Sequence, residues 1–69
     1  MTEYLVIYET DEDGGWCAYA PDLGCYAAGQ TRNEVDVLIR EAIPFHLEGL
    51  RELGLPTPAP YHSAGSVAA

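Results

Sequence analysis

From Thr31 to Pro56 the sequence encodes one long helix with both ends marked, and this leaves room for only a few short strands beside it. Thr31-Arg32-Asn33-Glu34 fits a capping box, in which the Thr31 hydroxyl accepts from the Glu34 N–H and the Glu34 carboxylate reaches back to the Thr31 N–H. Val35, Leu38, Ile39, Ala42, His46, Leu50 and Leu53 then recur at spacings of three and four, with Arg40, Glu41, Glu48, Arg51 and Glu52 mainly on the other side. Gly54 suits the left-handed position just past a helix end, Leu55 can fold back on the last turn, and Pro56 forbids continuation. The pattern predicts a helix from about Arg32 to about Leu53. Pro44 interrupts it, lacking an N–H and crowding the carbonyl of Arg40 at a cost of about 3 kcal/mol. Because the apolar phase continues across Pro44, a kink is expected rather than two helices.

Ahead of the helix lie three strand-like runs. Tyr4-Leu5-Val6-Ile7-Tyr8 is β-branched and aromatic, Trp16-Cys17-Ala18-Tyr19-Ala20 is the second run, and Cys25-Tyr26-Ala27-Ala28-Gly29 is a weaker third. Asp11-Glu12-Asp13-Gly14-Gly15 and Pro21-Asp22-Leu23-Gly24 supply the turns. The fold class is therefore α+β: a three-stranded antiparallel meander followed by one long helix, β-β-β-α, with Ser66-Val67-Ala68 available as a short extra C-terminal strand. A single domain over residues 1–60 and a tail over 61–69 are expected, the tail being small, polar and without periodicity.

Alternation divides the sheet into two faces. With the first hairpin turning near Glu12, Tyr8 stands opposite Trp16 and Val6 opposite Ala18, sharing a face with Tyr4. Leu5, Ile7, Cys17 and Tyr19 share the other. Both faces are apolar, and one helix covers only one of them. Unless tail and loops fold over the second, it remains an apolar, aromatic patch of the kind that marks an interface. The sequence alone leaves open which face the helix takes. Tyr4, Tyr8 and Trp16, with Asp11, Glu12 and Asp13 on the adjoining turn, are the candidate contact residues for a partner or for a second copy of the chain.

Charge narrows the kind of partner. Eleven acidic residues face three arginines and no lysine, for a net charge of -8. Such a chain repels nucleic acid and anionic membrane and attracts a basic protein. No run approaches the ~20 apolar residues of a membrane span, and the start of the chain does not resemble a signal peptide. A cytoplasmic, reducing setting is therefore expected, with Cys17 and Cys25 as free thiols.

No enzyme is expected. Asp11-Glu12-Asp13 resembles the opening of a calcium loop but lacks the later bidentate glutamate. Two cysteines without a supporting motif make a poor zinc site. His46 sits on the apolar stripe, His62 lies in the tail, and a Cys17 or Cys25 nucleophile would need a base that the sequence does not place beside it. There is no phosphate-binding glycine loop and no Gly-x-Ser-x-Gly motif. Neither metal nor cofactor is expected.

The order of these motifs resembles the HicB-like antitoxin family. Gly14-Gly15-Trp16 closes the first hairpin, and Pro21-Asp22-Leu23-Gly24-Cys25 stands where family members characteristically have Pro-Asp-Leu-Pro-Gly-Cys. Gly29-Gln30-Thr31 leads into the helix, Glu41-Ala42-Ile43 and Leu47-Glu48-Gly49-Leu50 follow, and Gly54 with Pro56-Thr57-Pro58 closes it. The departures are the missing turn proline, Leu38 where asparagine is common, and Pro44 in place of a helix former. The resemblance implies a β-β-β-α domain likened to a partial ribonuclease H fold. It also implies binding and masking of a HicA-type toxin, a small basic ribonuclease that cleaves messenger RNA. The C-terminal DNA-binding domain of many family members has no counterpart up to Ala69, so operator binding is not expected. The alternative is a solitary oligomeric domain that binds a small ligand or another protein.

Overall fold

A computed structural model of the chain describes residues 2–69. Three strands, β1 (Ile7–Thr10), β2 (Trp16–Ala20) and β3 (Cys25–Gly29), precede one helix, α1 (Arg32–Glu52). The strands form one antiparallel sheet in the order β1-β2-β3. This is the expected α+β meander and helix. Residues 66–68 form no strand.

The first strand lies further along the chain than its composition suggested. Asp11 N–H donates to the Gly15 carbonyl at 2.9 Å, and the Asp11 carboxylate accepts from the N–H groups of Asp13 and Gly15 at 2.9 and 2.8 Å. This tight turn, with Gly14 at φ 84°, draws Glu9 and Thr10 into the ladder. At the other end β2 stops at Ala20, because Pro21 has no N–H to pair with the segment before Ile7. Trp16 therefore pairs with Thr10, and Tyr8 with Ala18, two residues from the expected register. A shift of two preserves side-chain parity, so the two sets of face residues remain as read from the sequence.

α1 lies on the face formed by Ala18, Ala20, Cys25 and Ala27. These four are buried against Val35 and Ile39, with Tyr4, Val6, Tyr8, Trp16, Ile43 and Leu47 packed around them. Small alanines on the sheet give the helix a close seat. The core stripe is thus Val35-Ile39-Ile43-Leu47, and Leu38 and Leu53 of the expected stripe are exposed. The helix begins at Thr31, whose hydroxyl accepts from Glu34 N–H at 3.1 Å. The Glu34 carboxylate reaches back one residue further than expected, to the N–H of Gln30 at 3.2 Å. At the far end Leu55 N–H donates to the Leu50 carbonyl and Gly54 N–H to that of Arg51, with Gly54 at φ 71°. Those two bonds are the Schellman pattern that leucine, glycine and proline there predict. α1 runs unbroken through Pro44, which is exposed, so the carbonyl it leaves without a partner lies on the wet side of the helix.

Residues 55–69 are neither helix nor strand, yet they are held at two points. Tyr4 Oη donates to the Pro58 carbonyl at 2.6 Å, and His62 Nδ1 meets the buried carboxylate of Asp22 on the β2–β3 turn. Burial pushes the Asp22 carboxyl up, but the hydrogen bond and charge of His62, together with backbone hydrogen bonds from Tyr61 and His62, outweigh it and the group sits below the usual carboxylate range. Tyr61 packs against His62 with ring centroids 4.6 Å apart.

Candidate partner-binding face

With α1 on one side, the opposite face of the sheet is bare. It presents Ile7 and Glu9 from β1, Cys17 and Tyr19 from β2, and Tyr26 and Ala28 from β3. Tyr26 is the most prominent of them, 65% exposed on the edge strand and paired across the ladder with Tyr19. Tyr19 Oη donates to Glu9 Oε1 at 3.1 Å, and this bond raises the pKa of the Tyr19 phenol. The Tyr26 phenol is also pushed up, first by the neighbouring Cys17 and then by burial, with Asp11 and Glu9 adding repulsion. A shallow cleft of about 520 Å³ opens at the hairpin end of this face. Tyr26, Cys17 and Ala28 form its apolar wall, and Glu9, Asp11 and Asp13 form its acidic rim. Neutral phenols, a small thiol and several carboxylates make a surface suited to a cationic, partly apolar partner.

The candidate contact residues read from sequence divide between the two sides of the sheet. Tyr4, Tyr8 and Trp16 lie on the helix side and are half-buried. The Tyr4 hydroxyl is engaged with Pro58. Tyr8 Oη donates to Asp36 Oδ1, and the Arg32 guanidinium lies 4.1 Å over its ring. The Tyr8 hydrogen bond, helped by Arg40 at 2.9 Å, holds the Asp36 carboxyl below its usual range; the same bond raises the Tyr8 phenol. Trp16 also borders the cleft. Asp11, Glu12 and Asp13 are all exposed beside the open face, and Asp11 is at the same time the residue that builds the turn. Tyr26 and Ala28 were missed because β3 was the weakest of the three strands in the sequence. Its alternation with buried Cys25 and Ala27 is the signal that would have found them.

The groups considered for chemistry are not gathered. Cys17 lies on the open face, Cys25 is buried and has its thiol pKa raised by that burial, His62 is with Asp22, and His46 borders a groove on α1. Among the described residues, no group of three or more histidine, cysteine or acidic side chains could hold a metal ion. No helix among them is long and apolar enough to cross a membrane.

A family model described as the HicB-like antitoxin of bacterial toxin-antitoxin systems matches residues 4–68. The UPF0150 protein Ta0767 of Thermoplasma acidophilum is 39% identical over 51 residues, which span 72% of this chain and 74% of that protein. The UPF0150 protein ssr1765 of Synechocystis is 39% identical over 56 residues, 80% of this chain and 71% of that one. No solved structure matches the chain.

Proposed function

The chain belongs to the HicB-like antitoxins of bacterial toxin-antitoxin systems, and from that premise we propose that it neutralises a HicA-type, messenger-RNA-cleaving toxin by covering it with the open face of its sheet. The observation that carries this reading is the bare face itself: Tyr26 and Cys17 beside the carboxylates of Glu9, Asp11 and Asp13, in a chain of net charge -8. A ribonuclease that grips RNA is basic where it binds, and an acidic surface with an aromatic centre competes for that region. Inhibition is then steric and electrostatic, and the antitoxin performs no chemistry of its own. Within the contact surface Tyr26 is the central anchor, Trp16 and Ile7 border it, and Glu12 and Asp13 meet the toxin's cations. Tyr4 and Tyr8 support the sheet from behind. Such a complex acts where messenger RNA is, in the cytoplasm.

The same face is also where the free chain self-associates, so that toxin and second copy compete for it. Its exposed Tyr26 and half-buried Ile7 and Cys17 favour this second reading, in which the chain is a homo-oligomer until the toxin arrives.

Co-purification with a HicA-type toxin, followed by an RNA-cleavage assay, tests the proposal. The expected result is a stable complex in which cleavage is suppressed and returns when the complex is dissociated. A toxin that neither binds nor loses activity at stoichiometric antitoxin would overturn it.

A further inference from the structure

A second apolar strip lies on α1, away from both the core and the open sheet face. Phe45 is 83% exposed and Leu53 75% exposed, and together with His46, Gly49 and Leu50 they line a groove of about 250 Å³. The strip has a seven-residue rhythm. Leu38 and Phe45 are spaced by seven, Ala42 and Gly49 fall between them at the same interval, and Glu41 and Glu48 repeat along one border with Glu52. Large and small residues alternating at three and four are the pattern of a helix that receives another helix. At Gly49 an added Cβ would meet nothing within 4 Å, so the position is an open hollow one turn from the projecting Phe45.

Three occupants can be compared. The chain's own tail lies elsewhere, at Tyr4 through Pro58 and at Asp22 through His62. A second copy packed antiparallel, each Phe45 in the other's Gly49 hollow, would set the Glu41 of one helix beside the Glu52 of the other. That repeats a like-charge contact on both sides of the twofold axis, between chains that each carry -8. No arginine relieves it: Arg32 lies over Tyr8, Arg40 is paired with Asp36 and Arg51 with Glu48. A helix with basic residues beside its apolar seam meets the same border with attraction.

We propose that the outward strip of α1 docks a basic amphipathic helix of a partner protein, with Phe45 and Leu53 as apolar anchors, Gly49 as the hollow that admits a large side chain, and Glu41 and Glu52 as the charged border. The proposal does not depend on the toxin reading, because the strip and the open sheet face share no residue.

The test uses the full chain and two synthetic helical peptides of about five turns, with identical leucine seams and either lysine or glutamate at every flanking position. Binding is read by fluorescence anisotropy and mapped by amide chemical shifts. The lysine peptide should bind at least about tenfold tighter than the glutamate peptide, with shifts centred on Phe45 to Leu53. Phe45→Glu should weaken it by about tenfold or more, and Glu41→Lys with Glu52→Lys should reverse the peptide preference. Both changes are at exposed positions, and circular dichroism verifies that the variants are folded. Tyr26→Arg, on the sheet face, should leave peptide binding unchanged. Shifts centred on the sheet face, or equal binding of the two peptides, would overturn the proposal. So would a wild-type oligomer in light scattering that Phe45→Glu alone dissolves, since the occupant would then be a second copy.

Discussion

Gly29 and Gly49 respond to an added methyl group in opposite ways, because one faces a working carboxylate and the other faces open space. A Cβ on Gly29 would lie 2.8 Å from the Glu34 carboxyl group, displacing the side chain that accepts the Gln30 N–H at the start of α1. Gly29→Ala should therefore cost about 1 kcal/mol, the worth of one hydrogen bond at a helix start. Thr31→Ala should cost about as much, through loss of the cap itself. Gly49→Ala should instead stabilise the protein by about 1 kcal/mol, since glycine within a helix is that much less favourable than alanine. Urea denaturation of the three variants checks the signs. A gain at Gly29 or a loss at Gly49 would contradict the local geometry. The Thr31 cap on the Glu34 N–H was legible in the sequence, but the N–H that the Glu34 carboxylate meets in return was not. Backbone extension at Thr31, φ -134° and ψ 157°, turns the chain so that Gln30 rather than Thr31 meets the carboxylate.

Two carboxylates tie elements together. Asp36 joins α1 to β1 through Tyr8, and Asp22 joins the β2–β3 turn to the tail through His62. Both sit below the usual carboxylate value. A group with a depressed folded pKa contributes stability that is present above its unfolded value, about 3.9 for aspartate. That contribution disappears as the pH falls through the lower folded value. The wild-type unfolding midpoint in urea should accordingly drop as the pH falls below about 4. Asp22→Asn combined with Asp36→Asn should lower the midpoint at pH near neutral and flatten that acid limb. Parallel pH profiles for wild type and variant would contradict the assignment. Neither pair was readable from sequence, since Tyr8 and Asp36 are 28 residues apart and Asp22 and His62 are 40 apart. The elements that carry them were readable, because strand composition, turn glycines and helix-end signals are all local. The start of β1 was misplaced because the Asp11 turn, not the composition of Tyr4 to Tyr8, sets where pairing begins.

For the molecule as a whole, charge and exposed surface decide the account. With both sheet faces apolar, no pattern in the strands reveals which one the helix takes. The alanines at 18, 20 and 27, which let a helix approach closely, were the available clue, and the large aromatics at Tyr4, Tyr8 and Trp16 drew attention away from them. Parity survived the two-residue register change, so the open face keeps the residues that alternation had already grouped, extended by Glu9, Tyr26 and Ala28. A chain of net charge -8 facing a basic toxin should associate quickly at low salt, and its association rate should fall about tenfold or more as ionic strength rises towards ~1 M. Stopped-flow mixing measures this, and a salt-independent rate would remove electrostatics from the account. The claim that the open sheet face masks the toxin is tested most directly by titrating the RNA-cleaving activity of a HicA-type toxin with wild type and with Tyr26→Arg. Full inhibition near one equivalent of wild type, with the variant needing at least about tenfold more, is the predicted result; a folded Tyr26→Arg that inhibits as well as wild type would contradict it.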